Sequence, residues 1–324
     1  MAETLDCVLL LALPASGKSE VRKYLERLSP EEARRDFHLG PTVQLDDYPY
    51  VHLMRRTDDE LAALGQPRLF FHAPDRPFQD TRDWGTLIWL LNEDYDDLLC
   101  RRPCHGPAAP WLLDRFDAAA AHAGLPARLG RIDAAFRAAL GDKLEQEAQG
   151  LMRDKVAGYP DTLAGKTLVV EFARGGPQGA PFPLKPCYGY RYSLGQLHPG
   201  LLEKATILYI WVTPEESRRK NFERADPNQA GSILHLGVPI EVMLGDYGCD
   251  DIDWLEQQSG RPGTVTVEAS GRTFQVPLAR FDNRVDKTSF IRQDAKEWTP
   301  AEIAAVHDGL QGALTHLAAA RAAR

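Results

Sequence analysis

The hydrophobic period changes abruptly near the start of the chain, and this change limits the possible folds. Residues 7–13 form a continuous apolar run of strand length, whereas Val21, Tyr24 and Leu28 recur at helical spacing. A strand that is apolar on consecutive residues is typical of a parallel sheet covered on both faces. The order strand, turn, helix therefore predicts an α/β fold that begins with a buried parallel strand.

Further apolar runs predict the rest of the sheet. Residues 42–45, 167–172 and 206–212 are expected to be parallel strands, each apolar on consecutive residues. Two later runs, 264–268 and 273–281, flank a Ser-Gly pair and predict a hairpin that leads into a last strand. Together these runs predict a doubly wound parallel sheet in a single domain of residues 1–324.

The segment between the second and third runs is roughly 120 residues, too long for a simple crossover. Helical periodicity within it predicts a helical insertion at about 75–160. Gly141 and Gly150 are expected to weaken or break its second helix, which spans about 129–151. The Pro-containing stretch 65–82 predicts an irregular loop that leads into the insertion.

Two helix starts carry the same signal. Thr213 and Thr299 are each followed by Pro and, three residues after the Thr, by Glu. This is the pattern of a capping box with Pro in the first turn. The second start is followed by a single apolar stripe, which predicts a closing C-terminal helix.

The composition excludes several classes of protein. The chain has 324 residues, 44% hydrophobic and 26% charged, with a formal charge of −8, which is typical of a globular protein rather than a fibrous or disordered one. The acidic balance disfavours nucleic-acid and membrane partners, and acidic residues precede the first apolar run where a signal peptide would be basic. We therefore expect a cytoplasmic protein that binds neither nucleic acid nor membrane.

The cysteines are few and scattered, which favours reduced thiols over a disulfide framework. Cys100, Cys104 and His105 lie close together in the sequence. They would begin a zinc site, but a second ligand pair at metal-site spacing is not visible. Buried or incidental thiols are the favoured reading.

The turn after the first strand has a pattern suited to phosphate. Residues 12–19 read Ala-Leu-Pro-Ala-Ser-Gly-Lys-Ser, which fits the phosphate-binding loop with Ala12 in place of the first Gly. Because the loop follows a strand and opens a helix, backbone N–H groups and the positive end of the helix converge on one anion. In such a loop Lys18 reaches the β- and γ-phosphates and Ser19 binds Mg²⁺. The alternative is an ordinary strand-to-helix turn with a surface lysine.

This segment resembles the loop of P-loop kinases that phosphorylate nucleotides, nucleosides and other small molecules. The resemblance covers about a third of the chain and identifies a superfamily, not a family. It implies a P-loop kinase core, ATP and Mg²⁺ as cofactors, and a nucleotide-binding segment made of Pro14, Ala15, Ser16, Gly17, Lys18, Ser19 and Glu20. Those kinases usually carry Gly where this chain has Ala12 and Ala15, so Ala15 would be strained if its backbone needs a positive φ.

Asp46-Asp47-Tyr48 follows the second predicted strand. It resembles the Asp-x-aromatic element of uridine-kinase-like and phosphoribulokinase-like enzymes, in which the Asp accepts the proton of the attacking hydroxyl. Asp46 matches that position better than Asp47. The resemblance implies Asp46 as the base and Asp47 and Tyr48 as substrate-binding residues; the alternative is a pair of solvated turn carboxylates.

Glu171 lies near the end of the third predicted strand, where a second acidic group beside a phosphate loop would hold Mg²⁺ directly or through water. The resembled kinases often show Glu-Gly here, whereas this chain has Glu171-Phe172. Arg174, in the Gly-rich segment that follows, would either bind an anionic substrate group or cap a neighbouring carbonyl.

Basic residues crowd the helix after the fourth predicted strand. It resembles the lid helix of small-molecule kinases and predicts a lid at about 214–235, with Arg219 and Arg224 as catalytic cations and Lys220 as a substrate-binding one. Lys220 and Arg224 share a face, while Arg219 faces Glu223 and would be held in a surface pair. A basic helix face that is merely solvated is the alternative.

Two further segments leave their roles open. Residues 245–254 contain four acids and two aromatic residues, which predicts either a substrate or metal loop or, preferably, a loop followed by a short helix near Trp254. Asp282 and Asn283 follow the last strand and would line a nucleotide-base pocket by analogy with other α/β folds.

These features together predict ATP-dependent phosphoryl transfer to a hydroxyl or phosphate of a small molecule, with the insertion supplying the acceptor site. One alternative is a switch or regulatory ATPase with water as acceptor; a GTPase version lacks an Asn-Lys-x-Asp guanine motif. The other is a nucleotide-binding protein without catalysis, in which Ala12 and Ala15 narrow the loop.

Overall fold

The computed structural model describes residues 4–104, 106–224 and 237–323, with only the backbone of Arg224. Its strands confirm the six apolar runs within a residue or two at their ends. They are β1 (Cys7–Leu11), β2 (Thr42–Asp46), β3 (Thr167–Phe172), β4 (Ala205–Trp211), β5 (Thr264–Ala269) and β6 (Arg272–Asp282).

The strands form one six-stranded sheet in the order β2-β3-β1-β4-β6-β5. The first five in that order pair in parallel, and β5 pairs antiparallel with β6. The hairpin turn has both Ser270 and Gly271 at positive φ, 51° and 71°, as tight hairpin turns require. The fold is therefore α/β with a mostly parallel sheet, as the sequence predicts.

The described helices lie along the whole chain. They are α1 (Lys18–Leu25), α2 (Pro30–Phe37), α3 (Tyr48–Ala63), α4 (Asp83–Cys100), α5 (Ala108–His122), α6 (Ala134–Ala157), α7 (Gly189–Gly195), α8 (Pro199–Leu202), α9 (Pro214–Arg224), α10 (Ile240–Gly245), α11 (Ile252–Gln257) and α12 (Pro300–Ala322).

Both faces of the central strand are covered, which explains its continuous apolar sequence. Leu9 and Leu11 of β1 belong to a core that includes Tyr95 of α4. Val8 and Leu10 point the other way, into a core that includes Leu310 and other residues of α12. Successive side chains of a strand point to opposite faces, so a strand between two helical layers must be apolar at every position.

β2 departs from the prediction that every parallel strand is apolar on both faces. Thr42 and Gln44 are exposed, whereas Val43 and Leu45 are buried. The exposed polar residues follow from the position of β2, which is the edge strand next to β3. Helices cover only one of its faces fully.

The described helices α3 to α6 lie between β2 and β3. Their aromatic and leucine side chains form most of one core cluster, which also includes Leu13, Val212 and Val242. The first helix begins at Tyr48, well before residue 75. The expectation that Gly141 and Gly150 break the later helix is wrong, because α6 is continuous through both. Leu140, Leu144 and Ala148 bury one face of α6, and this packing outweighs a cost of about 1 kcal/mol per glycine.

The predicted helix starts are confirmed. α9 begins after Thr213, whose hydroxyl accepts a hydrogen bond from the Glu216 amide, and α12 begins with a complete capping box between Thr299 and Glu302. Residues 65–82 contain neither helix nor strand, apart from one bridge between Phe71 and Phe78. Among the described residues, no helix is both long and apolar enough to cross a membrane.

Candidate functional site

The segment 12–19, here called the 12–19 loop, connects β1 to α1 with two residues at positive φ. Gly17 has φ 104° and Ala15 has φ 54°. A Cβ atom on Gly17 would lie 2.5 Å from Thr288 Oγ1 and 2.9 Å from Asn283 Nδ2, so only glycine fits there. Ala15 takes the left-handed conformation despite its Cβ, which costs roughly 1 kcal/mol or more.

Side chains from three other elements hold the carbonyl groups of this loop. Tyr190 donates to the carbonyl of Ala12 (2.9 Å), and Ser217 donates to that of Pro14 (2.7 Å). The buried Asn283 donates from Nδ2 to the carbonyl of Ser16 (2.7 Å). These three side-chain donors thus hold the loop in place through its backbone carbonyl groups.

Several amide groups of the loop have no hydrogen-bond acceptor among the described residues. The backbone N–H groups of Gly17, Lys18 and Ser19 donate to no acceptor in the part of the chain that the structure describes. The hydroxyl of Ser16 is buried and also has no described partner. Unpaired amides at the start of a helix suit an anion, because they supply both donors and the positive end of the helix dipole.

Two carboxylates face this loop from neighbouring strands. Asp46 and Glu171 are register partners at the ends of β2 and β3, so the parallel pairing brings them together. Lys18 Nζ lies 4.0 Å from Glu171 Oε1, while Arg22 Nη1 lies 3.3 Å from Glu171 Oε2 and 3.8 Å from Asp46 Oδ2. Burial, with the charges of Glu171 and Asp47, raises the pKa of Asp46 to about 8.

The same set of groups contains oxygen donors for a cation. Ser19, Asp46 and Glu171 line one cleft, but no cluster of three or more His, Cys, Asp or Glu side chains able to hold a metal occurs in the described residues. Mg²⁺ is commonly held by one or two carboxylates together with waters and substrate phosphates. The donors present fit that ion and no all-protein metal cage.

Asp47 and Arg174 form a buried ion pair. Arg174 Nη1 lies 2.6 Å from Asp47 Oδ2, and its Nε donates to Ser193 Oγ (3.0 Å). The guanidinium lies 4.8 Å from the centre of the Trp84 ring, and its Nη2 has no described partner. Arg174 is only 1% exposed, so its contacts hold the turn after β2 in place. Tyr48, which follows Asp47 in the sequence, lines the cleft.

Two of the predicted lid residues, Arg219 and Lys220, do not line the cleft. Arg219 is exposed and paired with Glu216 and with Glu223. Lys220 is fully buried with Nζ 2.7 Å from Asp286 Oδ1, which holds the pKa of Asp286 below its usual range. The expectation that Lys220 contacts substrate does not fit this placement, since its charge is already paired. The side chain of Arg224 and residues 225–236 lie outside the described residues.

Asn283 and Lys220 instead support the 12–19 loop. Asn283 also donates to Thr288 Oγ1 (2.9 Å), and Lys220 lies 3.4 Å from the same hydroxyl. The segment after β6 therefore ties α9 to the carbonyl of Ser16. The analogy with other α/β folds predicts that Asn283 lines a nucleotide-base pocket. In the structure its side chain is buried and hydrogen-bonded to the Ser16 carbonyl and to Thr288 instead.

The cleft extends from the 12–19 loop into the insertion and has a volume of about 400 Å³. Its far part is lined by side chains to which the sequence analysis gave no site role, among them Arg55, Phe71, Phe78 and Trp84, and by Asp246 and Tyr247. Only Asp246 and Tyr247 had a signal, the acid-rich segment 245–254. Arg55 and Trp84 lie on insertion helices, and no local pattern shows that they face a cleft.

A comparison of this chain with protein-family models, with curated proteins and with solved structures finds no match in any of the three. The site must therefore be interpreted from its own chemistry.

Proposed function

We propose that the protein is an ATP-dependent phosphotransferase that acts on a hydroxyl or phosphate of a small molecule. One observation carries the proposal: the unpaired amides of the 12–19 loop, Lys18 and the paired strand-end acids Asp46 and Glu171 line one cleft with a separate apolar part. The loop also follows β1, which lies between β3 and β4 where the strand order reverses. Ligands of open α/β sheets bind at such points.

The site offers groups for the phosphates of ATP and for the Mg²⁺ that phosphoryl transfer needs. The amides of the loop and Lys18 would hold the phosphates, and Ser19 with Glu171 would hold Mg²⁺, whose charge offsets that of the phosphates. The orphaned Ser16 hydroxyl provides one more donor at the loop.

Asp46 is the group best placed to take the acceptor proton. Its Oδ1 accepts a hydrogen bond from the Tyr48 amide (2.9 Å), which fixes the carboxylate beside the loop. A hydroxyl oxygen of the acceptor forms a bond to the γ-phosphorus, and the bond from that phosphorus to the bridging oxygen breaks. The bridging oxygen leaves on ADP, and the hydroxyl proton passes to Asp46.

The apolar part of the cleft favours transfer to a molecule over transfer to water. Phe71, Phe78, Trp84 and Val242 line it, and a water nucleophile would need no such walls. A pocket of several hundred cubic ångströms that combines apolar and aromatic walls with polar groups is typical of a small-molecule site. This feature distinguishes the proposal from a switch ATPase.

ATP binding in the presence of Mg²⁺, followed by calorimetry, tests the loop directly. Lys18→Ala should weaken binding at least tenfold because it removes the cation of the phosphate cradle, and the fold should survive, since Lys18 has one described ion-pair partner, at 4.0 Å. Lys143→Ala is the matched control, an exposed lysine on α6. Equal ATP affinity in both variants would reject the site.

A further inference from the structure

The cleft contains a buried carboxylate that has no partner among the described residues. Asp246 is 2% exposed and lines the cleft, and its side chain makes no hydrogen bond or ion pair within the described residues. The other acids of the cleft have partners. Glu20 is paired with Arg292, Asp59 with Arg68 and Asp47 with Arg174, and Glu171 and Asp46 are both paired with Arg22.

An unpaired buried carboxylate is costly for the empty protein. Burial raises the pKa of Asp246 to about 7, and the nearby charge of Arg55 opposes this only in part. Arg55 is held elsewhere: its Nη1 donates to the Pro74 carbonyl (2.8 Å), and its guanidinium lies 3.8 Å from the centre of the Phe71 ring. The missing partner of Asp246 would therefore come from a ligand.

A row of aromatic rings forms the wall beside this carboxylate. Ring centres are 4.3 Å apart for Phe71 and Phe78, 4.9 Å for Phe78 and Trp84, and 5.6 Å for Trp84 and Tyr247. The Trp84 Nε1 donor is buried and has no described partner. Such a wall accommodates a flat apolar body.

We propose that the acceptor molecule carries a ring-sized apolar body and a protonated amine, and that the amine binds Asp246 while a separate hydroxyl faces Asp46. The inference rests on the proposed phosphotransferase function. An ammonium group suits the site better than a neutral donor, since it restores a full ion pair to a carboxylate that lacks one. The amine is bound and is not phosphorylated; the transferred group goes to the hydroxyl.

Two probes of nearly equal shape test the amine. 2-Amino-1-phenylethanol and 1-phenylethane-1,2-diol share a ring and a hydroxyl, and they differ only in an amine where the second has a hydroxyl. Calorimetry at pH 7 should show the amine binding to the wild-type protein at least tenfold more tightly than the diol. Equal affinities, or no binding of either probe, would overturn the proposal.

Matched variants locate the effect. Asp246→Asn, which keeps the shape but removes the charge, should lose about tenfold in affinity for the amine and little for the diol. Asp59→Asn, on a cleft carboxylate that is already paired with Arg68, should retain the preference for the amine. Loss of the preference in both variants, or in neither, would contradict the assignment to Asp246.

ATP affinity separates this inference from the function on which it rests. Asp246→Asn should bind ATP with Mg²⁺ as the wild type does, and its thermal unfolding should show an intact fold. Amine preference without any ATP binding would reject the phosphotransferase and retain the amine site. ATP binding that Lys18→Ala weakens, without a preference for the amine, would reject the amine site and retain the proposed phosphotransferase.

Discussion

Ala15 shows how a single backbone conformation is enforced by its surroundings. Its φ of 54° lies in the left-handed region, where a Cβ costs about 1–2 kcal/mol. The fixed carbonyls of Ala12, Pro14 and Ser16 on either side hold it there. The strain that the sequence predicts for a positive φ at Ala15 is therefore present.

Replacing Ala15 by Gly should relieve this strain. The gain is reduced by the greater freedom of glycine in the unfolded chain, so we expect a net change between zero and about +1 kcal/mol in the free energy of unfolding. Urea denaturation measures it. Ala138→Gly, at an exposed position of α6, is the control and should lose about 1 kcal/mol. A loss of that size at Ala15 would contradict the account of the loop.

The free-energy cost of burying the charged Asp246 carboxylate should appear in the pH dependence of the protein's stability. The folded pKa of about 7 is above the ordinary value of 3.8, so the native state binds more protons than the unfolded state between roughly pH 4 and pH 7, and stability falls as pH rises through that window. Among the described residues, Arg55, Tyr188 and Tyr247 are charged or titratable groups that interact electrostatically with Asp246.

Asp246→Asn removes this proton linkage. The variant should therefore gain stability relative to the wild type as pH rises from 5 to 7.5, with little difference near pH 4. Urea unfolding at these pH values gives the measurement, and Asp59→Asn serves as the control. A difference that shrinks with rising pH would have the wrong sign for a buried carboxylate without a partner.

At the scale of elements, the β1–α1 connection depends on one glycine. Gly17 has φ 104°, and its Cβ position is occupied by the side chains of Thr288 and Asn283. Gly17→Ala should displace this segment and abolish most ATP affinity, at least tenfold by calorimetry. Gly312→Ala is the matched control, since a Cβ there meets nothing within 4 Å on α12 and should stabilise the helix by about 1 kcal/mol. Unchanged ATP affinity in Gly17→Ala would show that the loop does not bind phosphate.

The elements that sequence reasoning predicts well are those whose signals are local. The strands appear as apolar runs, and Thr299 and Glu302 form the capping box that their spacing predicts. The errors come from tertiary packing. α6 passes through Gly141 because Leu140 and Leu144 bury its face, and Lys220 turns inward because Asp286, far along the chain, supplies its partner.

At the scale of the whole molecule, the sequence predicts which acids lie at the strand ends, but it does not predict which residues form the far wall of the cleft. Asp46 and Glu171 each lie at or near the end of a strand that the sequence predicts, so the sequence places both at the carboxyl ends of the parallel strands. That these two strands are neighbours and bring the two acids together is seen only in the structure. Arg55, Trp84 and Asp246 come from three separate segments that meet only when the insertion folds. No pattern within any one segment indicates that contact.

The proposed function predicts transfer to an organic acceptor, and under that proposal a change at Asp46 separates transfer from hydrolysis. Asp46→Asn keeps the shape of the side chain but cannot take a proton, so acceptor phosphorylation should fall by roughly 10²- to 10⁴-fold while ATP affinity remains. Asp47→Asn serves for comparison, because Asp47 is already paired with Arg174. Excess Mg²⁺ should not restore the rate if Asp46 acts as a base and not as a metal ligand.

The most direct test follows γ-labelled ATP with a pool of small hydroxyl compounds, including amino alcohols, and compares the wild type with Asp46→Asn. The account predicts label in an organic phosphate made by the wild type, and a loss of that product in the variant. Label that appears only as inorganic phosphate, at a rate independent of the pool and equal in both proteins, would contradict it.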